Sequence, residues 1–232
     1  MADKLYPHDP LRELAPGVWL VRGISDIPLH RNMIIVRRPD GDLVLHSAVA
    51  MEEAGLNALA ELGRPRMAIV PNIGHRRDAP FYKRRFPGLV IVCPAAARAE
   101  IERTVPIDAT VEEALPPLGW RLHKVPGIKV DEFVYEVPLA NGGRMLIAND
   151  VFGNANAAEK SLRGRLMAAP ALGLGDRFGI PRIFRWRYVA DMPAVKRFAG
   201  ELARTPDLRV VTVSHGDPIT VDPASHLRAV AA

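Results

Sequence analysis

Short runs of wholly apolar residues, each followed by a turn or a polar group, constrain the fold of this chain most strongly. Residues 67–70 (Met-Ala-Ile-Val) and 89–93 (Leu-Val-Ile-Val-Cys) are two such runs. Apolar runs of this length without alternation are typical of strands that are buried on both faces. Helical patterns accompany them at 51–62, 79–86 and 95–103. This βαβα order favours an α/β fold in which helices cover a mixed or parallel sheet.

Two hairpin signals lie on either side of this region. The turn Arg38-Pro39-Asp40-Gly41 joins strands predicted at 32–36 and 43–46, and the turn Asn141-Gly142-Gly143 joins strands at 132–137 and 144–148. The remaining predicted elements are strands at 18–22, 120–125 and 209–213, and helices at 157–169, 192–203 and 223–230. We predict irregular chain between the helix at 157–169 and residue 187.

The composition excludes several classes of protein. Of the 232 residues, 48% are hydrophobic and 25% are charged, which is enough apolar material for a sizeable core. No apolar run reaches the roughly 18 residues of a membrane span, and the first ten residues lack a secretory pattern. The single cysteine, Cys93, excludes a disulfide framework within one chain. We therefore expect a cytoplasmic protein without a membrane partner.

The net charge of +5 does not by itself indicate nucleic-acid binding. Lys and Arg number 31 against 26 Asp and Glu, but the basic residues are dispersed and interleaved with apolar ones. A stacking platform of aromatic and basic residues is also missing from the sequence. We expect a basic solvated surface and no nucleic-acid partner. A homo-oligomer is compatible with the composition.

Four polar residues follow the points where predicted strands end. They are His46, His75, Asp150 and His215. Loops at strand ends often carry function, and imidazole and carboxylate groups are ligands for zinc, iron or manganese. The pattern indicates a metal site built from separate strand ends, and the alternative is that each residue is a hydrogen-bonded loop-end group. The motifs GxSxG, GxGxxG and HExxH and the P-loop do not occur.

In this order, the landmarks of the chain resemble those of the metallo-β-lactamase superfamily. Residues 42–47 are similar to the family's strand that ends in Asp-Thr-Gly, and residues 71–78 stand where the family has Thr-His-x-His-x-Asp-His. Residues 146–150 resemble its Gly-Asp strand, and residues 213–218 resemble its closing Gly-His-Gly motif. The resemblance covers residue 19 to the carboxyl end.

The resemblance implies a four-layer αββα sandwich of two mixed sheets flanked by helices. It also implies a single domain, residues 1–232. We expect residues 1–16 to be an amino-terminal extension and residues 151–190 to be an irregular covering segment.

The metal motif departs from the family's pattern. Its four ligand positions in the 71–78 loop are taken by Asn72, Gly74, Arg76 and Arg77. Ile128 replaces the histidine of the family's Pro-Gly-His turn, whereas Asp150, at the bridging carboxylate, and His215 match it. The chain is most similar to a divergent branch with a degenerate metal motif, whose members share His-Ser-x-Val and Pro-Asn-x-x-His, here at 46–49 and 71–75.

The first hypothesis that the resemblance implies is a metal-dependent hydrolase with a rearranged, mononuclear site. The predicted ligands are His75, Asp150, His215 and His46, with His75 and Asp150 as the catalytic residues. Asp78 and Glu132 are predicted to support the ligands or to add one. Asn72, Arg76 and Arg77 are predicted to bind an anionic small molecule, although both arginines could instead pair with Asp78 and Glu132. One divalent ion, with zinc preferred over iron or manganese, would activate water toward an ester, thioester, lactone or phosphoester.

The second hypothesis is a metal-free, non-catalytic protein that keeps the fold. Arg76 and Arg77 stand where the family has an acid and an imidazole, and their charges repel a divalent cation unless the side chains turn away. In that case a small anion or a protein partner would occupy the cleft, held by the arginines.

Overall fold

The computed structural model describes residues 5–24, 30–154 and 177–232. These residues belong to two units, the first comprising 5–24 and 30–118 and the second 119–154 and 177–232. The helix predicted at 157–169 lies outside the described residues. Within the described ranges, every helix is too short or too polar to cross a membrane.

The first unit is built on a seven-stranded sheet whose strands lie in chain order. The strands are β1 (Arg12–Ala15), β2 (Val18–Ile24), β3 (His30–Arg37), β4 (Asp42–His46), β5 (Arg64–Ile69), β6 (Val90–Cys93) and β7 (Ala109–Thr110). Strands β1 to β4 pair antiparallel, and β4 to β7 pair parallel. The predicted Asp-Gly turn joins β3 to β4, with Gly41 at a φ of 85°. The βα part of the chain therefore builds the parallel half of the sheet.

Four helices accompany this sheet: α1 (Glu53–Leu62), α2 (Ala79–Arg85), α3 (Arg98–Ile101) and α4 (Val111–Ala114). Leu59 of α1, Tyr82 of α2 and Ile101 of α3 pack with the strands in one apolar core. Cys93 of β6 is fully buried in this core, and burial raises the pKa of its thiol to about 11. This cysteine is therefore a structural residue.

Helix α1 begins at Glu53, two residues later than the predicted start at residue 51. The backbone before it is bonded to other parts of the unit. The Tyr82 hydroxyl donates to the Val49 carbonyl (2.8 Å), and the Tyr6 N–H donates to the Ala50 carbonyl (3.0 Å). Because these tertiary bonds use groups that a helix would need, the chain stays non-helical up to the cap residue.

The helix predicted at 95–103 is divided into a 3-10 turn, Ala95–Ala97, and the short α3. The carboxylate of Glu112 accepts from the Ala95 N–H at 3.2 Å. Helix α4, which was not predicted, begins with a capping box in which Thr110 and Glu113 bond each other's backbone N–H groups. The 3-10 turn and α4 thus each begin with a backbone N–H that bonds to a Glu or Thr side chain.

The second unit contains a four-stranded sheet in the order β11-β10-β9-β8. Its strands are β8 (Arg121–Lys124), β9 (Phe133–Pro138), β10 (Arg144–Ile147) and β11 (Leu208–Thr212), and its helices are α5 (Arg182–Tyr188), α6 (Met192–Leu202) and α7 (Pro223–Ala231). β9 pairs antiparallel with both β8 and β10, whereas β10 and β11 are parallel. The carboxyl ends of β10 and β11 therefore lie side by side.

Helix α5 corrects the prediction of irregular chain up to residue 187. Phe184 is buried in the core of the second unit, and Tyr188, one turn later, packs against the same core. Their ring centroids are 5.3 Å apart. The pair at i and i+4 was the helical signal, and the arginines between its members obscured it.

Candidate functional site

Ser47, directly after β4, has a strained backbone and contacts His75, a predicted metal ligand. His46 is the last residue of β4 and is buried between its strand neighbours Ile34 and Ile69. Ser47 follows with a φ of 56°, in the left-handed region that residues with a side chain rarely adopt. Its Oγ lies 2.7 Å from Nδ1 of His75. The sequence placed both histidines at this edge, but it assigned no role to Ser47.

The loop after β5 is held by Asn72. The side-chain oxygen of Asn72 accepts from the N–H groups of Gly74 (2.8 Å) and His75 (3.2 Å) and so caps the 3-10 turn Ile73–His75. His75 itself is buried. Asn72 therefore positions His75 through the backbone, and its contact with an anionic ligand stays a prediction.

The two arginines of this loop have partners within the first unit. Arg76 Nη1 donates to the Glu100 carbonyl (3.1 Å) and to its Oε1 (3.2 Å). Arg77 Nη1 donates to the Tyr6 hydroxyl at 3.3 Å. Arg76 thus pairs with Glu100, not with Asp78, and the sequence offered no sign of a partner 24 residues away.

Asp78 belongs to a buried ion pair with Arg31. Its Oδ2 also accepts from the Ala50 N–H at 3.2 Å, and Arg31 donates to the Ala48 carbonyl at 3.0 Å. The pair therefore clamps the chain that follows Ser47. We define Arg31, Asp78 and the Ala48–Ala50 backbone as the loop clamp.

In the second unit, Asp150 and His215 form a close pair. Oδ1 of Asp150 lies 3.4 Å from Nε2 of His215, and the side chains are 27% and 17% exposed. Asn149 and Ser214 precede them and are both buried; the Ser214 hydroxyl donates to the Asn149 side-chain oxygen. The neighbouring ends of β10 and β11 therefore present a carboxylate and an imidazole together.

Glu132 lies beneath this pair in the fully buried interior. Its Oε1 accepts from the Val151 N–H at 2.7 Å. Burial raises the pKa of Glu132 well above its ordinary value, the nearby Asp150 carboxylate raises it further, and the N–H groups of Val151 and Asp150 lower it in part. The raised pKa favours the neutral form of Glu132, whose side chain supports the backbone at Val151.

Ile128, which stands where the family has the histidine of its Pro-Gly-His turn, makes apolar contacts. Ile128 packs against the core of the second unit and forms an isolated bridge with Val189. It joins the turn to the segment after α5 and contributes no ligand atom.

Several solved structures that are similar to this chain are metallo-β-lactamases. A DIM-1 metallo-β-lactamase structure exposed to ceftazidime has a TM-score of 0.64 and 14% identity, covering 99% of this chain and 98% of that one. The metallo-β-lactamase FIM-1 from Pseudomonas aeruginosa, in its mono-zinc form, also has a TM-score of 0.64, with 13% identity over 99% of this chain and 96% of that one.

A metallo-β-lactamase from Erythrobacter litoralis, with β-mercaptoethanol in its active site, has a TM-score of 0.64 and 15% identity over 95% of both chains. No family model and no curated protein sequence matches the chain. The chain therefore has the metallo-β-lactamase fold, which confirms the predicted fold class. The low identities agree with a divergent sequence.

Replacing Glu132 tests its supporting role. Gln is neutral and keeps an acceptor for the Val151 N–H, so we expect Glu132→Gln to change the free energy of unfolding by less than about 1 kcal/mol. Glu132→Ala leaves buried N–H groups without an acceptor and should cost roughly 2–4 kcal/mol. Urea unfolding measures both variants, and equal losses would contradict a neutral Glu132.

Proposed function

We propose that this protein is a metal-dependent hydrolase with a mononuclear site whose ligands are His75, Asp150 and His215. The Asp150–His215 pair carries the proposal, because it places an oxygen and a nitrogen ligand 3.4 Å apart on neighbouring strand ends. The fold adds support, since one of its solved structures is a mono-zinc form.

The third ligand is assigned to the first unit by the sequence pattern and by the contacts of His75. When Nδ1–H of His75 donates to the Ser47 hydroxyl, the ring has the tautomer whose Nε2 carries the lone pair for a metal. Asn72 fixes the backbone beneath it. His46 stays the candidate for a fourth ligand.

The expected repulsion from Arg76 is reduced by its ion pair, and Arg77 is held by a hydrogen bond. The carboxylate of Glu100 balances the charge of Arg76, and the Tyr6 hydroxyl holds Arg77. Two imidazoles and one carboxylate are also a donor set that suits zinc. The residues present therefore fit one divalent cation.

A bound divalent ion would lower the pKa of a water ligand to about 7 and polarise an ester, thioester, lactone or phosphoester. Asp150 has two carboxylate oxygens, so one would bind the ion while the other accepts the proton of the attacking water. The carboxylate of Asp150 would thus act as the base, and the imidazole of His75 would position the ion.

Elemental analysis of the purified protein, combined with chromogenic ester, thioester, lactone and phosphodiester substrates, tests the proposal. We expect one divalent ion per chain, hydrolysis of at least one class, loss of both on chelation and recovery on adding zinc. A protein that contains no metal, and whose melting temperature rises with inorganic phosphate instead, would support the metal-free alternative.

Ser47 gives a test of the ligand assignment at His75. Losing a hydrogen bond to the far side of a metal-bound imidazole typically weakens metal binding about 10–100-fold, so both Ser47→Ala and Ser47→Gly should do so. Gly accepts a positive φ without strain, so Ser47→Gly should be more stable than Ser47→Ala by about 1 kcal/mol. Zinc titration and urea unfolding measure the two effects. Unchanged zinc affinity would show that Ser47 does not support the metal ligand His75.

A further inference from the structure

Helix α5 presents an exposed apolar pair surrounded by arginines. Trp186 is 82% exposed and Ile183 is 41% exposed, although both are large apolar side chains. The other two tryptophans, Trp19 and Trp120, are 8% and 4% exposed. An indole left in water at this level is an unusual feature of a folded domain and marks an interaction surface.

The spacing of the residues along α5 makes this surface one continuous face. At about 100° per residue, Ile183 lies some 60° from Trp186 around the helix. Arg182 lies about 40° beyond Trp186 on one side, and Arg187 lies about 40° beyond Ile183 on the other. Phe184 and Tyr188 occupy the opposite side and pack into the core. The apolar pair is therefore anchored from behind and flanked by cations.

Neighbouring residues extend the same surface. The Lys129 N–H donates to the Tyr188 carbonyl at 2.8 Å, which places residues 129 and 130 beside the end of α5. Lys129 is exposed, and so is Val130. Arg185 is exposed as well, but it lies about 100° from Trp186 and about 160° from Ile183 around the helix, so it is not part of this surface. We define Lys129, Val130, Arg182, Ile183, Trp186 and Arg187 as the α5 face.

We propose that the α5 face binds the surface of an anionic lipid bilayer. Tryptophan favours the boundary between headgroups and acyl chains, and arginine stems lie along apolar surface while the guanidinium groups reach phosphates. The net charge of +5 adds long-range attraction to an anionic surface.

The size of the face favours a bilayer over a protein partner. Two apolar side chains on a helix of seven residues are far less than the roughly 800 Å² per partner of a standard protein interface. A lipid surface accepts a small projecting wedge and supplies many phosphates. We had expected no membrane partner because the sequence contains no span, but surface binding needs none.

Vesicle binding by the full chain tests this proposal. We expect the protein to sediment with vesicles of phosphatidylcholine and phosphatidylglycerol at low salt, and not with phosphatidylcholine alone. Because Trp186 is the exposed tryptophan, its emission should shift to shorter wavelength when anionic vesicles are added. High salt should release the protein.

Two sets of variants separate the α5 face from bulk charge. Each arginine near an anionic surface is worth about fivefold in partitioning, so R182Q/R187Q should weaken vesicle binding by about 25-fold. Trp186→Ser should weaken it by roughly tenfold and remove the emission shift. The control K196Q/R197Q removes the same charge from α6, and should keep most of the binding.

Several results would overturn the proposal. They are absence of sedimentation with anionic vesicles, equal loss in the control variant, and binding without a change in tryptophan emission. Binding of polyglutamate as tightly as of anionic vesicles would instead indicate an acidic protein partner. Concentration-dependent dimerisation that Trp186→Ser abolishes would indicate a second copy of the chain.

Discussion

The His215→Ala variant is expected to lose its bound metal and its hydrolytic activity together. Structural zinc sites gain about 10–16 kcal/mol from four ligands, so one ligand is worth roughly 3 kcal/mol, or about 150-fold in affinity. The Asp150 carboxylate, now without its imidazole neighbour at 3.4 Å, should bind metal only weakly. Elemental analysis after dialysis and the substrate panel measure both losses.

The matched control for this variant is His226→Ala. His226 is exposed on α7 of the same unit, with its ring 6.2 Å from that of Phe178, and has no part in the proposed site. It should keep full metal content and activity. If His215→Ala also keeps its metal, the ligand assignment is wrong; if it loses activity but not metal, His215 acts in another way.

The second large effect is expected at the loop clamp. Asp78→Ala leaves the Arg31 charge buried without a counter-ion, which typically costs about 3–5 kcal/mol. It also removes the acceptor for the Ala50 N–H and so loosens the chain after Ser47. We expect lower stability and, through Ser47, weaker metal binding at His75, measured by urea unfolding and zinc titration.

Two further variants test whether burial of the Arg31–Asp78 ion pair causes the loss. Removing both charges in Arg31→Met/Asp78→Leu should recover part of the lost stability, since a lone buried charge costs more than none. Glu53→Ala breaks the exposed Arg85–Glu53 pair, whose side chains are 50% and 68% exposed, and should change stability by less than about 1 kcal/mol. If Glu53→Ala and Asp78→Ala lowered the free energy of unfolding by similar amounts, breaking a buried ion pair would cost no more than breaking an exposed one, which would contradict the prediction.

Much of the strand order was predictable because buried strands are visible in the sequence as short apolar runs bounded by turn residues. Apolar runs marked β5 and β6, and the Asp-Gly and Gly-Gly turns marked two hairpins. Helix α5 was missed since only Phe184 and Tyr188 carry its inward face and the arginines dominate its composition. Helix α4 had a signal in Thr110 and Glu113 that was not used.

The candidate site was predictable as a set of strand ends but not as a network. His46, His75, Asp150 and His215 were chosen as candidates because each closes or follows a strand, and their role as a site stays a prediction. The partners that give them their chemistry are distant in sequence: Ser47 meets His75 across 28 residues, and Arg31 meets Asp78 across 47. The raised pKa of Glu132 depends on burial, which a charged residue next to a predicted strand does not reveal.

The buried thiol of Cys93 has a practical consequence. With a pKa near 11 and no contact with solvent, it should be inert to thiol reagents in the folded protein. A cysteine introduced on the surface would therefore be the sole site for a spectroscopic label, without removing the native residue. Conversely, the rate at which Cys93 reacts in dilute urea would report the opening of the first unit alone.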